Sequence, residues 1–484
     1  MSRLLVGPFN RVEGDLEVQL EVEDGRVRSA RVNATLFRGF EQILLQHAPL
    51  DALVYAPRIC GICSVSQSVA AARALAALAG IVPPANGLLA TNLMAATENL
   101  ADHLSHFYLF FMPDFVRPLY AARPWHAAAA ARYTPHSGSQ QRLALAARQR
   151  WLELMGTLGG RWPHTGSIMP GGSTRAIEPA ERLRLLARLR EFRRFLEGEL
   201  FAAPLERIAA LASAEQLWAW YAEAPGAGDL RRFLEIALDC ELERLGPGPG
   251  LYLSYGAYPQ GDGTPLFPAG LWNAASGQVE PLDLAAIRED VSHAWLEDAP
   301  PRHPAEGDTQ PLADKPGAYS WNKAPRLAGE VLETGALARQ LVAGQPLLRE
   351  LAAHGGANVL TRVLARLLEL ALVVPQMERW LGELRPGEPY HLDAALPESG
   401  SAVGLHEAAR GALGHWLRIE HGRIAHYQII APTTWNFSPR DAAGRPGALE
   451  RALEGAPVQP GERTPVAVQH IVRSFDPCMV CTVH

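Results

Sequence analysis

The chain has 484 residues, of which 48% are hydrophobic and 20% are charged, a composition typical of a folded globular protein and not of a disordered or fibrous one. Its net charge of −6 provides no basic surface for phosphate groups, which excludes nucleic acid as an expected partner. Five cysteines are too few for a disulfide-stabilised scaffold. The opening residues, MSRLLVGPFNRVEGD, lack the apolar segment of a secretory signal, which predicts a cytoplasmic protein.

The first half of the chain predicts a small sheet followed by long helices. Alternating residues from about 4 to 36 predict an antiparallel sheet, with Asp24 and Gly25 as a type I′ hairpin turn. Amphipathic patterns then predict helices that form a central bundle; they cover roughly residues 63–80, 86–111, 139–158, 179–200 and 357–384. The uncharged stretch 74–97 contains Pro83 and Pro84, so it predicts two helices and not a membrane span.

Two later regions have a different composition. Between about residues 246 and 325 glycine, proline and aromatic residues predominate, which predicts turns and short strands in a lobe inserted into a single domain spanning residues 1–484. Alternation around His421 and Gly422 predicts another hairpin. The fold class predicted from these patterns is α+β, a central bundle of long helices with antiparallel β-hairpins at its periphery.

Four of the five cysteines form two C-x-x-C pairs near opposite ends of the chain: Cys60 with Cys63, and Cys478 with Cys481. Two residues between cysteines allow both thiolates to bind one ion, and two such pairs supply four soft sulfur ligands. The spacing alone is also compatible with a structural zinc site or with two separate redox pairs. A catalytic soft-metal centre is favoured by the charged residues in the neighbouring motifs, which are Glu13, Glu41, Arg58, Asp102, Arg410 and Asp476.

Several collinear motifs carry further information. The two cysteine motifs are RICGIC and DPCMVCTVH, and the others are RVEGDLEVQ, LFRGFEQIL, HFYLFFMPDFV, EAARGALGHW and TTWNFSPRD. Together they resemble the large, catalytic subunit of [NiFe]-hydrogenases over nearly the whole chain. In that family a C-terminal peptide is removed after a histidine once nickel is inserted. The resemblance therefore implies that a chain ending at His484 is the mature, processed form.

The resemblance implies a nickel–iron centre at the cysteines. Nickel would be bound by the thiolates of Cys60, Cys63, Cys478 and Cys481. Two of them, Cys63 and Cys481, would also bridge to an iron that carries carbon monoxide and cyanide. Arg410 would donate hydrogen bonds to a cyanide, and Thr433 would supply a hydroxyl where the family often has a serine.

The resemblance also implies a reaction, the heterolytic cleavage of dihydrogen. The thiolate of Cys478 would accept the proton and pass it to Glu13, whose pKa would be raised towards neutrality by burial. Asp102 and Asp476 would hold Arg410 and the C-terminal loop in place.

A second metal site is implied beside the first. Its ligands would be the Glu41 carboxylate, a backbone carbonyl near Ile429 and the ring of His484, with waters completing an octahedron. Oxygen-rich octahedral coordination suits Mg²⁺.

Three positions depart from the common family pattern. Gln67 stands where most members have a histidine, while Ile62 and Phe110 replace the smaller valine and leucine on the path by which gas reaches the metals. These residues resemble the dihydrogen-sensing, regulatory branch, whose members signal to a histidine kinase and turn over slowly. The alternative within the family is an uptake hydrogenase.

The remaining expectations concern partners. Cys240 is the only cysteine outside the pairs and is expected in an apolar core, so this chain cannot hold iron–sulfur clusters and an electron-transferring iron–sulfur small subunit is implied. A non-enzyme alternative is a structural zinc protein, or a quinone-site module like the related subunit of respiratory complex I. That subunit lacks the four cysteines, which are present here.

Overall fold

The computed structural model describes residues 2–393 and 395–482. The α-helices are α1 Phe40–Ile43, α2 Ala52–Tyr55, α3 Ser64–Ala79, α4 Ala85–Ser105, α5 His126–Tyr133, α6 Ser139–Gly159, α7 Pro179–Phe195, α8 Leu205–Ala209, α9 Ala214–Glu223, α10 Gly228–Asp239, α11 Ala336–Val342, α12 Pro346–Gly355, α13 Val359–Glu383, α14 Pro432–Asn436, α15 Ala448–Leu453 and α16 Val466–Phe475. The strands are β1 Ser2–Val6, β2 Leu16–Glu23, β3 Arg26–Ala34, β4 Ile168–Met169, β5 Gly172–Ser173, β6 Leu251–Pro259, β7 Pro265–Asn273, β8 Gln278–Glu280, β9 Ile287–Asp290, β10 Ala324–Leu327, β11 Glu333–Thr334, β12 Gly400–Ala408, β13 Gly411–Glu420 and β14 Arg423–Ile430.

The long helices α3, α4, α6, α7 and α13 form where the amphipathic patterns predict them. Helix α4 packs against α6 and α13, and α13 also contacts α7 and α11, which gives the central bundle. Helix α13 begins at an N-cap in which the Asn358 side chain accepts a hydrogen bond from the Thr361 N–H at 2.9 Å. Helices α4 and α7 each continue as a π-helical turn, at His106–Phe111 and Leu196–Leu200. The predicted α+β fold class is confirmed.

The uncharged stretch 74–97 divides between two helices. Helix α3 ends at Gly80, which adopts a left-handed conformation with φ of 64°, and α4 begins after Pro84. Among the described residues, no helix combines the length and apolar character that crossing a bilayer requires.

Both predicted hairpins are present. Strands β1, β2 and β3 form an antiparallel sheet, and β12, β13 and β14 form a second one. Asp24 and Gly25 have φ of 51° and 71°, and His421 and Gly422 have φ of 51° and 70°. Positive φ at both central residues is the requirement of a type I′ turn.

The glycine-rich and proline-rich region supplies a third sheet, with strand order β11-β6-β7-β8. Its strand β6 is buried along most of its length and contacts α11, α4 and β12. The region is thus packed against the bundle and the C-terminal sheet.

The segment around Glu13 and the segment that follows helix α16 meet beside the bundle. Helix α16 ends at Asp476, which has a left-handed φ of 57°, and the residues after it lie next to Glu13 in an isolated bridge between Glu13 and Cys478. The loop before α3 lies next to these residues. All four paired cysteines therefore belong to one buried hydrophobic cluster, called here the cysteine-containing cluster.

Candidate metal centre

The structure brings the four paired cysteines together. Their sulfur atoms all lie within 4.8 Å of one another. The Sγ–Sγ distances are 3.5 Å for Cys60 and Cys478, 3.2 Å for Cys63 and Cys481, and 3.0 Å for Cys478 and Cys481. All four residues are buried, with at most 7% exposure. One ion can therefore contact sulfur atoms from both ends of the chain.

Each C-x-x-C loop is held by a defined local structure. Cys63 occupies the N-cap position of α3, and Cys478 starts a 3₁₀ turn closed by the Cys481 N–H and the Cys478 carbonyl at 2.9 Å. Arg38 joins the two loops, because its Nη2 donates to the carbonyls of Ile59 and Val480. Arg38 belongs to the LFRGFEQIL motif, and its role is invisible in sequence because its acceptors are backbone atoms.

Glu13 lies beside the C-terminal loop through its backbone. The Met479 N–H donates to the Glu13 carbonyl at 2.7 Å, and the Glu13 N–H donates to the Pro477 carbonyl at 3.3 Å. The next residue, Gly14, has φ of 77°, and a Cβ there would lie 3.0 Å from the Val480 nitrogen. Glycine is therefore needed for the close approach of the two segments.

The half-buried side chain of Glu13 is in an electrostatic setting suited to proton uptake. Burial raises the pKa of Glu13 above its usual value of 4.5, and Cys60 and Asp476 raise it further, while Arg410 lowers it.

Arg410 is buried between two carboxylates. Its Nη1 lies 2.8 Å from an Asp102 oxygen, and its Nη2 lies 3.1 Å from an Asp476 oxygen. The Arg410 Nε–H also donates to the Asp476 carbonyl at 2.8 Å. These contacts fix the guanidinium plane from both sides, and they connect helix α4 to the segment that precedes Cys478.

A small cavity of about 10 Å³ adjoins the sulfur atoms. Its described walls are Cys63, Gln67, Ala408, Arg410, Leu413, Pro432, Thr433, Cys478 and Cys481. Ala408, Leu413 and Pro432 give this lining apolar atoms, and Arg410 and Thr433 give it a guanidinium and a hydroxyl. The Thr433 hydroxyl also accepts from the Cys478 N–H at 3.2 Å, which connects it to the C-terminal loop.

The donor set fits a soft metal ion. Burial, together with Cys481 and Cys60, raises the pKa of the Cys478 thiol, because closely spaced thiolates repel each other in a low-dielectric interior. A bound cation would remove that penalty, and four sulfur donors favour a soft one. The adjoining cavity is lined by apolar side chains and two hydrogen-bond donors, a chemistry compatible with small uncharged and anionic ligands.

Glu41 lies in a separate buried polar cluster. Its Oε1 accepts from the Ile429 N–H at 2.8 Å and lies 3.2 Å from the Lys323 Nζ. Glu289 lies 3.1 Å from the same ammonium, and burial raises its pKa to about 7. Gln428 accepts from Lys323 at 2.7 Å. The cluster is rich in oxygen atoms, as a hard cation requires; His484, the third predicted magnesium ligand, lies outside the described residues.

The three unusual positions have different surroundings. Gln67 lines the cavity beside the sulfur atoms. Ile62 is partly buried and packs against the cysteine-containing cluster. Phe110 is also partly buried, and its carbonyl accepts from Arg11 Nη1 at 2.9 Å. Neither Ile62 nor Phe110 is among the described walls of the cavity.

The buried side chain of Glu98, which no sequence motif indicates, holds the first cysteine loop in place. Glu98 on α4 accepts hydrogen bonds from the backbone N–H groups of Val65 and Ser66 at 2.8 and 2.9 Å, and from Trp162 Nε1 at 3.0 Å. It thereby caps α3 at the turn that follows Cys63. Its position within an apolar helix provides no local sequence signal.

Glu98 should produce a measurable dependence of stability on pH. Burial raises the pKa of Glu98 from 4.5 to about 7. The contribution of the protonated carboxyl to the free energy of unfolding is therefore fully present below about pH 4.5 and is lost as the pH rises through about 7. Glu98→Gln removes this loss and should gain about 3 kcal/mol relative to the parent across that range, since one pKa unit corresponds to about 1.4 kcal/mol. Denaturant unfolding at several pH values measures the difference.

Two variants complete that experiment. Glu98→Ala leaves buried donors without acceptors and should be destabilised by about 2–5 kcal/mol at every pH. Glu215→Gln, at an exposed position of α9, should follow the parent. A Glu98→Gln variant that runs parallel to the parent would show that burial does not shift this carboxyl.

Comparison with known proteins shows the family to which the chain with this four-cysteine cluster belongs. The family model described as nickel-dependent hydrogenase matches residues 38–142 and 139–484. The chain is 31% identical to the periplasmic [NiFeSe] hydrogenase large subunit of Desulfomicrobium baculatum, over 100% of this chain and 95% of that protein. It is 29% identical to the hydrogenase-2 large chain of Escherichia coli, over 100% of this chain and 97% of that one.

Solved structures of hydrogenases support the same family assignment. The [NiFeSe]-hydrogenase structure from Dm. baculatum superposes on the chain with a TM-score of 0.85 at 31% identity, with 100% of both chains covered. The corresponding structure from D. vulgaris Hildenborough has a TM-score of 0.84 at 30% identity. Zinc-protein and quinone-module alternatives are therefore set aside: the chain belongs to the nickel-dependent hydrogenases, which are oxidoreductases, and has the fold of their large subunit.

Proposed function

We propose that the chain activates dihydrogen at a nickel–iron centre held by Cys60, Cys63, Cys478 and Cys481. The observation that carries this proposal is the convergence of four buried sulfur atoms within 4.8 Å in a member of a nickel-dependent family. When bound, the centre supplies a Lewis-acidic, redox-active site for the heterolytic cleavage of dihydrogen.

The residues around the cavity would orient the iron ligands. Arg410 is held by Asp102 and Asp476 and would donate to a cyanide, while Thr433 would supply a hydroxyl from the same cavity lining. The apolar side of the cavity suits carbon monoxide, which makes no strong hydrogen bond. Preorganised donors of this kind need no rearrangement when the ligands bind.

The proton released from dihydrogen would pass from the Cys478 thiolate to Glu13. Support comes from the backbone bridge between these two residues and from the raised pKa of Glu13, for which burial is the largest cause. A carboxyl group with a raised pKa accepts a proton more readily near neutral pH.

Mg²⁺ would occupy the polar cluster at Glu41, with the Ile429 carbonyl and His484 as further ligands. Support comes from the oxygen atoms of Glu41, Glu289 and Gln428, which lie around the Lys323 ammonium. Oxygen atoms are the ligands that Mg²⁺ prefers.

Metal analysis and infrared spectroscopy test the centre. We expect about one nickel and one iron per chain, together with absorption bands of metal-bound carbon monoxide and cyanide. Zinc alone, without such bands, would contradict the proposal. Magnesium content, measured on the same sample before and after mild chelation, tests the second site.

The partners follow from the same chemistry. Electrons must leave the buried centre, and the relatives are named as large subunits or large chains, so we propose an iron–sulfur small subunit as the electron-transferring partner. The periplasmic location belongs to the Desulfomicrobium relative, and a cytoplasmic location of this chain stays a prediction.

Within the family we propose a regulatory role: sensing of dihydrogen, signalled to a histidine kinase through the small subunit. The support is the amide of Gln67 in the cavity wall, together with Ile62 and Phe110 at the positions implied for gas access. Slow turnover and a dihydrogen-dependent change in kinase autophosphorylation are expected. Fast turnover with no effect on the kinase would favour the alternative, an uptake hydrogenase.

Gas access supplies a prediction of its own. Ile62→Val combined with Phe110→Leu should leave dihydrogen cleavage in the absence of air unchanged. Because packed interiors respond to single methylene groups, the smaller side chains should widen the passage for gas. Dioxygen, the larger molecule, should then reach the metals and cause a progressive loss of activity. Residual activity after matched dioxygen exposure measures the effect. The same substitutions at Ile177 and Phe267, which lie outside the cysteine-containing cluster, are the control. Equal survival of the parent and the double variant would place dioxygen tolerance elsewhere.

A further inference from the structure

Three buried side chains form a hydrogen-bonded row that ends at the cysteine cavity. Gln67 lies in the cavity wall beside Cys63 and Cys481. Its Oε1 is 2.7 Å from His415 Nε2, and His415 Nδ1 is 2.8 Å from the Tyr427 hydroxyl. All three residues are at most 1% exposed, so water does not compete for these contacts.

The row is built by the packing of a helix on a sheet. Gln67 lies on α3, which contacts both β12 and β13. Tyr427 on β14 pairs with Leu417 on β13, and His415 lies two residues before Leu417 on the same face of that strand. The register of the hairpin thus sets the distance from the tyrosine to the histidine.

The hydrogen bonds settle where the protons lie. Burial raises the pKa of Tyr427, so its hydroxyl keeps a proton, which it donates to His415 Nδ1. The Gln67 Oε1 can only accept, so its 2.7 Å contact with His415 Nε2 is a hydrogen bond when that nitrogen carries the imidazole proton. With Oε1 engaged, the Gln67 amide N–H groups are left for the cavity. The reverse order would turn Oε1 towards the anionic sulfurs and leave the tyrosine proton without an acceptor.

We propose that His415 and Tyr427 are positioning residues, which hold the Gln67 amide so that its N–H groups are directed at the sulfur atoms of the metal centre. The inference rests on the proposed nickel–iron function. An N–H donor withdraws electron density from a thiolate and thereby tunes the metal behind it. Because an amide does not titrate, this hydrogen bond persists at every physiological pH.

Infrared spectroscopy of the loaded protein tests the orientation. Tyr427→Phe removes the donor that fixes the histidine tautomer, so a fraction of the Gln67 amides should flip. The bands of iron-bound carbon monoxide should then split, with the new component at lower wavenumber, because the thiolate regains electron density and the iron donates more to its ligand. Tyr390→Phe, which removes a distant buried hydroxyl, should leave a single unshifted band.

A rescue variant separates this role from a merely structural one. Glutamine places an N–H donor near the position of histidine Nε2 and has no tautomers, so His415→Gln should keep the parent band, and adding Tyr427→Phe to it should have no further effect. Parent-like bands in Tyr427→Phe would overturn the proposal, and so would a split band in the double variant.

A second measurement does not depend on the iron ligands. Nitrogen NMR of histidine-labelled protein should show His415 with its proton on Nε2, and a proton on Nδ1 would overturn the proposal even if Tyr427→Phe failed to fold. Absence of carbon monoxide bands in the parent would count against the nickel–iron function, whereas the tautomer would still report on the hydrogen-bonded row.

Discussion

Replacing Cys481 with alanine is expected to abolish nickel retention and dihydrogen cleavage together. Among the described residues, the group that could hold this ion consists of four cysteines, so no spare donor can take the place of a lost sulfur. The Cys481 sulfur lies 3.2 Å from the Cys63 sulfur and 3.0 Å from the Cys478 sulfur. It therefore contacts one cysteine of each C-x-x-C loop. Cys478→Ser should have the same outcome, because a hydroxyl is a hard donor that binds nickel poorly.

Nickel and iron content by mass spectrometry, and dihydrogen-driven reduction of a dye, measure the two losses. Cys240→Ala is the matched control, because Cys240 is the one cysteine outside the cluster. This variant should retain metal and activity. Circular dichroism should show that the cluster variants keep the helical fold, which is supported by the bundle. Nickel and activity retained in either variant would contradict the ligand assignment.

Much of the fold could be predicted because it is encoded by local periodicity. Helix α13 repeats apolar residues at helical spacing, and the Asp24–Gly25 turn needs only two residues to be recognised. The π-helical turn at His106–Phe111 could not be predicted, since the apolar pattern continues through it and the extra residue is accommodated only by packing.

The residues of the candidate centre also fall into two groups, those that a local sequence pattern reveals and those that it does not. Its cysteines stand out because two residues of spacing are enough to indicate a shared ion. The residues that hold the loops in place act over long distances: Glu98 caps a helix that begins 34 residues earlier, and Arg38 reaches a carbonyl 442 residues away. Such contacts depend on the tertiary fold, and a single arginine or glutamate within a helix or loop has no local pattern that reveals its partner.

Glu13→Gln should lower the rate of dihydrogen cleavage strongly while leaving the centre assembled. The amide has nearly the shape of the carboxylate, and the contacts that join this segment to the C-terminal loop are backbone hydrogen bonds at Glu13, Pro477 and Met479, so metal content should be unchanged. An amide cannot accept the proton, and loss of a positioned general base lowers rates by about 10²–10⁴-fold.

The dependence on pH distinguishes proton transfer from a general disturbance by Glu13→Gln. Glu13 accepts a proton only when it is ionised, so the parent rate should fall as the pH drops through its pKa, which burial raises above 4.5. The variant should lack this acidic limb and be slow throughout. Glu21→Gln, on strand β2 and paired with Arg3 at 3.5 Å, should keep both the rate and the limb. Hydrogen–deuterium exchange in dihydrogen gas, measured across pH, gives both quantities; exchange close to that of the parent would remove Glu13 from the proton path.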